Sequence, residues 1–331
     1  MGFPDKKNND GLSGGERCLL LLVSEEKYFM SHRLSLAKKA ESAGYKIVLA
    51  TNLSDRSAED GELNLQTVNI PFERSLVNFF SELKVLCQVR QCITRLEPTV
   101  VHAVSLKMCV VAGLALLGRK DVSLLCAFTG FGHLFTSGAV KAKCLRSIVK
   151  LLLKLLLRRS NYWSVVQNGD DFNLLKNIRG NDTSRTSLIS GSGVDIDLFY
   201  FAEPSQDRCR QILFPARLLG DKGLHEFVSA ARIIRAQRSD VRFVLAGRLD
   251  RSNPSSVEFS KIREWVDEGI VEWLGERDDM DVLYRESYLI CLPSYREGMP
   301  KTILEASAAG RPVVATNVIG CNEAVINKKK F

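Results

Sequence analysis

Short apolar runs punctuate this chain and alternate with longer stretches whose apolar residues recur at helical spacing. The first run, CLLLLVSE at 18–25, predicts a buried strand. A helix is expected over 31–43, a strand at GYKIVLAT, and a short strand at LQTVNIP. The spacing then predicts a helix over 76–96, a strand at TVVHAVS, a helix over 107–117 and a strand at DVSLLCAFTG. A helix over 140–159 and strands at YWSVVQN and RTSLISGSG complete this half. Such alternation argues for a parallel, doubly wound sheet.

GSGVDIDLF, 191–199, interrupts the alternation with two glycines and reads as a linker. The pattern then restarts: strand RQILFPARL, helix 223–237, strand VRFVLAG, helix 255–268, strand IVEWLG. DVLYRESYLI followed by CLPSY reads as a helix end and a buried strand. A helix should follow Pro300 and stop at Gly310, before a last strand, PVVAT. The expectation is two Rossmann-like, doubly wound parallel-sheet domains facing a cleft: residues 18–190, and 200–331 after the linker.

Composition narrows the class. A chain of 331 residues, 45% hydrophobic and 25% charged, suits two globular domains. A net charge of +8 favours an anionic partner: nucleic acid, nucleotide or an acidic membrane surface. The basic residues are spread along the chain without a recognisable nucleic-acid motif, so no nucleic-acid partner is expected. Nine cysteines lie scattered, none in a C-x-x-C pair, which reads as reduced thiols of a cytosolic protein and no metal site. Residues 1–17 are polar and read as a disordered leader without the apolar core of a signal peptide. Lys6 stands where a myristoylation signal needs Ser or Thr. No uncharged run reaches the roughly 18 residues of a membrane span.

Two loops carry candidate chemistry. ARLLGDKG, 216–223, follows one strand and precedes a helix, so Arg217 and Lys222 should project at the carboxyl edge of the second sheet. Two cations there suit a diphosphate, though a solvated basic loop has the same composition. REGMPKTILEASAAG begins at Arg296 and lies in the next strand-to-helix connection. Pro300 would take the first helical position, leaving the amides of Lys301, Thr302 and Ile303 for an anion. Gly298 would let the backbone approach closely, Glu305 could accept both hydroxyls of a ribose, and Glu297 would lie near a sugar on the diphosphate. Both glutamates repel phosphate, which makes Arg217 and Lys222 necessary. The bland alternative is a capped surface helix. A dinucleotide enzyme is disfavoured: SEEKYFMSHRL, after the first strand, holds no G-x-G-x-x-G, and GLSGG at 11–15 precedes that strand.

RLLGDKG, VEWLGERDDM, LPSYREGMPKTILEASAAGRPVVAT and the linker GSGVD together resemble the family-four retaining glycosyltransferases of the GT-B fold. The resemblance covers about residues 18–325. FMSHRL, VHAVSLK, FTGFGHLFTS and SVVQNGDD look most like enzymes that extend lipid-linked glycans for bacterial O-antigen, capsule or protein glycosylation. The resemblance implies a UDP-sugar donor, a polyprenyl-diphosphate-linked saccharide as acceptor, no cofactor or tightly bound metal, and a place on the inner face of the cytoplasmic membrane. By position, Arg217 and Lys222 would hold the diphosphate and Glu305 the ribose. Glu297, with the amides of Gly298, Met299 and Lys301, would contact the sugar and distal phosphate, and Gly275–Arg277 would border the base. From the first domain, His102 and Lys107 would face the sugar or acceptor, and Gly130, Gly132 and His133 would approach the acceptor. Family members usually continue beyond CNEAVINKKKF, so the resemblance implies an incomplete second domain. Two rivals follow: a non-catalytic remnant that at most binds nucleotide, or another GT-B enzyme such as a UDP-sugar 2-epimerase.

Several residues have plainer readings beside these. His102 ends a buried strand, where a lone histidine is more often structural, but its place at a carboxyl edge favours a functional reading. Lys107 could be a solvated residue at a helix start, and His225 a surface helix residue. Asp195 and Asp197 spell D-x-D but lie in the linker, which favours a turn, and DDMD at 278–281 reads as a helix start. Arg146, Lys150, Lys154 and Arg158 fall four apart, one basic stripe on a leucine-rich helix. That stripe suits the surface of an anionic bilayer, or else a packed helix with a snorkelling edge.

Overall fold

The computed structural model describes residues 17–53, 64–72, 79–131, 140–180, 182–203, 210–251, 253–318 and 320–325. The first series of elements is β1 (Arg17–Glu25), α1 (Glu26–His32), α2 (Leu34–Ser42), β2 (Tyr45–Asn52), β3 (Leu65–Asn69), α3 (Phe79–Leu96), β4 (Val100–Val104), α4 (Leu106–Ala115), β5 (Ser123–Phe128), α5 (Val140–Leu156), β6 (Tyr162–Val166), α6 (Gly169–Ile178) and β7 (Thr186–Leu188). The second is β8 (Arg210–Phe214), α7 (Leu224–Arg235), β9 (Val241–Leu245), α8 (Phe259–Asp267), β10 (Glu272–Trp273), α9 (Met280–Glu286), β11 (Leu289–Leu292), α10 (Lys301–Ala308), β12 (Val313–Ala315) and α11 (Cys321–Ala324).

The strands form two sheets. The seven-stranded sheet has the order β3-β2-β1-β4-β5-β6-β7, and the five-stranded sheet the order β10-β9-β8-β11-β12. Every described strand pairing is parallel. In each sheet the order reverses direction beside its first strand, at β1/β4 and at β8/β11. Open α/β sheets bind ligands at the carboxyl ends of the strands flanking that switch point. Among the described residues, 17–127 with 152–163 make one compact unit, and 128–151 with 164–325 the other.

Each sheet is buried by its own helices. Leu19, Leu21, Val23, Ile47, Leu49 and Val104 pack with Phe29 of α1 and Ala37 of α2. In the second unit Phe214, Phe243 and Leu245 pack with Phe227 and Val228 of α7 and with Ile262 and Trp265 of α8. Each such fully buried side chain contributes about 1.5–3 kcal/mol. On the opposite face, Leu213, Val244 and Ile290 pack with Leu283 and Tyr284 of α9 and with Ala306 of α10.

Three local departures from the sequence reading have physical causes. The chain enters α1 directly after β1, where a loop is expected as far as Ser31. Fully buried Phe29 anchors this short helix, and Tyr28 stacks on His32 with ring centroids 4.2 Å apart. The helical path then breaks at Arg33 (φ −130°, ψ −10°) before α2 resumes it. Helix α6 is absent from the sequence reading. Its cap is Asn168, whose side chain accepts from the Asp171 amide at 2.8 Å. Arg17, counted with the leader, opens β1.

The turn readings hold. Asp195 accepts from the amides of Asp197 and Leu198 at 3.0 and 3.2 Å, and Asp279 is the N-cap residue of α9. All described cysteines are free thiols. Among the described residues no helix is long and apolar enough to cross a membrane.

Candidate nucleotide-sugar site

The site is built at the β8/β11 switch point. After β8 the chain runs through Pro215–Leu219 into a short 3-10 turn, Gly220–Lys222. Gly223 follows with φ 76°, and a Cβ there would run into the Pro293 carbonyl. Only glycine serves both demands, so the loop after β8 lies against the loop after β11. Gly320 (φ 86°) plays the same part on the far side, against the carbonyls of Glu297 and Gly298.

This close approach sets the charges. Lys222 Nζ donates to Glu297 Oε1 at 2.6 Å, and the Ser294 hydroxyl donates to the same oxygen at 2.7 Å. The pair is largely buried, with 19% and 13% of the side chains exposed. Arg217 Nη1 donates to Asp250 Oδ2 at 2.5 Å, at the end of the segment that follows β9. Asp250 is itself buried, so this guanidinium is held with its remaining donors at the sheet edge.

Helix α10 supplies the second half. Pro300 is its N-cap residue (φ −71°, ψ 116°), one position before the first helical place expected from sequence. The Ile303 amide donates to the Pro300 carbonyl at 3.1 Å, so the amides of Lys301 and Thr302 open the helix and Ile303 is not among the free ones. Thr302 Oγ1 donates to the Pro215 carbonyl at 3.2 Å, tying the helix start to the loop after β8. Lys301 Nζ lies 3.1 Å from Glu305 Oε1. Burial pushes the Glu305 carboxyl above the usual carboxylate range, against the pull of Lys301 and of a hydrogen bond from Tyr284. The Tyr284 hydroxyl is pushed up in turn by its own burial and by Glu305. A carboxylate so placed accepts strong hydrogen bonds from a polyol that replaces its missing water.

The remaining predicted residues are scattered by role. Met299 and Gly298 are half-buried in the loop before α10. Gly275 has φ 72° and follows β10. Arg277 is exposed and forks onto Asp279 at 2.8 and 2.5 Å. Gly130 has φ 131° after β5, while Gly132 and His133 lie outside the described residues.

In the first unit, Lys107 sits in the first turn of α4 and donates to Glu82 of α3 at 2.6 Å. Ser105 caps that helix in a positive-φ conformation (φ 93°), an uncommon state for a non-glycine residue. His102 corrects the sequence reading. It is the third of five residues of β4, paired with Leu21 and Leu125, and not at the strand's carboxyl edge. It is 3% exposed, and neither ring nitrogen has a hydrogen-bond partner. Burial, and secondarily the nearby Arg33, hold its pKa down at about 3, so the ring is neutral. His225 lies on α7, edge-on to Trp265.

Helix α5 carries its basic residues on one side. Arg146 is half-buried, whereas Lys150, Lys154 and Arg158, just past the helix end, are exposed. Ile148, Leu151 and Leu155 are also more than half exposed, beside that basic row. Val149, Leu153 and Leu156 face inward.

Sequence reasoning missed Asp250, Tyr284 and Ser294, the partners that hold Arg217, Glu305 and Glu297. Asp250 had one usable signal, an acidic residue soon after a buried parallel strand.

Comparison with known proteins agrees with both sheets. Residues 18–162 match the family described as Glycosyl transferase 4-like, and residues 209–330 the family described as Glycosyl transferases group 1. The chain is 26% identical over 278 residues to the N,N'-diacetylbacillosaminyl-diphospho-undecaprenol alpha-1,3-N-acetylgalactosaminyltransferase of Campylobacter jejuni, covering 80% of this chain and 71% of that one. It superposes on Anabaena Alr3699/HepE, solved with UDP-glucose, with a TM-score of 0.69 at 18% identity, over 94% and 83% of the two chains. WaaG, a glycosyltransferase of lipopolysaccharide biosynthesis, gives 0.68 at 14% identity, over 91% and 82%.

Proposed function

Because this chain belongs to the group 1 glycosyltransferases and has their GT-B fold, we propose that it moves a sugar from a UDP-sugar to a hydroxyl of a polyprenyl-diphosphate-linked saccharide, with retention at the anomeric carbon. The observation that carries this is the junction at the β8/β11 switch point, where Lys222, Glu297 and Ser294 meet beside the start of α10. The C. jejuni relative acts on an undecaprenyl-diphosphate-linked acceptor, which supports that acceptor class.

The residues divide the work by charge. Arg217 and Lys222 meet the two phosphates, with the opening amides of α10 adding the positive end of the helix dipole. Glu305 accepts the ribose hydroxyls, and Gly275–Arg277 border the base. Glu297, fixed by Lys222 and Ser294, faces the sugar with Gly298, Met299 and Lys301. The bond from the anomeric carbon to the diphosphate oxygen breaks, and the acceptor oxygen bonds to the same face of that carbon. The acceptor proton passes to a phosphate oxygen of the leaving UDP. Charge stabilisation is the protein's main contribution, and no tightly bound metal enters this reading. On the acceptor side, Lys107 acts as a fixed cation. The α5 surface holds the protein peripherally on the inner face of the cytoplasmic membrane.

The test is thermal unfolding with UDP, GDP or ADP, followed by transfer assays. UDP should raise the transition selectively. Lys222→Ala and Glu305→Ala should each lower transfer by about a hundredfold or more, as loss of a charge-assisted contact to the leaving group would. Wild-type turnover in either variant would remove that residue from the mechanism.

A further inference from the structure

Three buried polar side chains, two on one face of the first sheet and one on the helices that cover it, each keep a polar atom without a partner. Arg33 stands at the break between α1 and α2 and is 9% exposed. Its Nη1 donates to the His32 carbonyl at 3.2 Å, and its Nε has no partner. No carboxylate among the described residues pairs with it. His102 shares the sheet face of Leu21, which packs under Phe29 and Ala37, the residues four before and four after Arg33. Both its ring nitrogens are orphaned. Thr51 follows Leu49 on that face, is fully buried, and has an unpaired hydroxyl.

Arginine does not shed its charge at any physiological pH. A largely buried guanidinium without a counter-charge is costly, and native proteins seldom keep one without use. Its location adds a direction. Arg33 belongs to the connection after β1, and His102 lies on β4, the two strands that flank the switch point of this sheet. A neutral imidazole keeps one N–H to donate, and the unpaired Arg33 Nε–H makes a second donor. Donors of this kind, with a fixed positive charge, fit a phosphate oxygen.

We propose that Arg33, with His102 beside it, binds a phosphate group of the acceptor's diphosphate. This rests on the lipid-linked acceptor of the preceding section. The donor's diphosphate has its own cations, Arg217 and Lys222, in the other unit, so this phosphate is a second one.

The probes are farnesyl diphosphate, inorganic pyrophosphate and farnesol, titrated calorimetrically into the full chain with UDP saturating the donor site. Both diphosphates should bind and farnesol should not. Tighter binding of farnesyl diphosphate than of pyrophosphate assigns the site to a lipid-linked phosphate. Pyrophosphate binding alone overturns that assignment. Arg33→Met should weaken diphosphate binding by about tenfold or more while leaving the UDP response intact, and Arg33→Lys should keep part of it. Unchanged binding in Arg33→Met overturns the proposal. Should that variant not fold, the wild-type chain still decides, because no response to either diphosphate also overturns it. A missing UDP response would instead count against the donor reading alone.

Discussion

His102 shows how much one buried side chain can impose. Its folded-state pKa of about 3 lies below its ordinary 6.5, with burial the larger cause and Arg33 the second. The sign follows: above pH 6.5 the ring is neutral in both states and the fold keeps its full stability. As pH falls from 6.5 towards 3, the unfolded chain takes up a proton that the folded chain refuses, and stability is lost. One proton corresponds to a slope of about 1.4 kcal/mol per pH unit. Urea unfolding in phosphate-free buffer between pH 6.5 and 5 should show that slope in the wild type relative to His102→Asn, the raised carboxyl of Glu305 being common to both. His102→Asn should flatten it, and an equal slope in the variant would refute the assignment. The sequence made Arg217, Lys222, Glu297 and Glu305 legible because strand-loop-helix order places them at one sheet edge. It did not make Asp250, Tyr284 or Arg33 legible. Their importance comes from what packs around them, and burial of a charged residue leaves no mark in local pattern.

Helices and strands differed in how openly the sequence announced them. Buried parallel strands such as LLLL and IVLA are continuous apolar runs, so their positions could be read directly. Helices α1 and α6 were hidden because each is short, polar at its start and anchored by few buried residues, such as Phe29 and Leu175. Helix α5 was legible as a helix, but the exposure of Ile148, Leu151 and Leu155 beside Lys150, Lys154 and Arg158 needed the structure. That surface combines apolar side chains with a basic row, which suits the interface of an anionic bilayer. Each basic residue near such a surface contributes about 1 kcal/mol, so replacing these three with Gln should weaken partition into anionic vesicles on the order of a hundredfold. Leu151→Ser with Leu155→Ser should also weaken partition, while changing unfolding free energy by only about 0.5 kcal/mol or less for each exposed site. Vesicle sedimentation and urea titration separate the two effects. Unaltered partition in both variants would leave α5 as a packed helix with a solvated edge.

At the scale of the molecule, the two sheets repeat one device, a parallel strand order that reverses beside its first strand. Each reversal opens a place for a ligand, and the residues gathered there differ in kind. The β8/β11 edge has paired cations and carboxylates, Arg217 with Asp250 and Lys222 with Glu297, which a charged ligand can exchange for itself. Over β1 and β4, between α1 and α2, stands Arg33 with an unpaired Nε and no carboxylate partner among the described residues. On the proposals above, two phosphate-bearing substrates would have separate addresses, one in each unit. Amide hydrogen exchange tests this division directly. UDP should slow exchange in 215–223 and 293–305, whose loops and helix start form the proposed donor site, with little effect on 19–37 and 100–108. Farnesyl diphosphate added to the UDP complex should protect the second set. Protection of both sets to the same degree by UDP alone would defeat the assignment, because a single ligand would then account for both edges. The expected pattern requires that each sheet carry its own substrate.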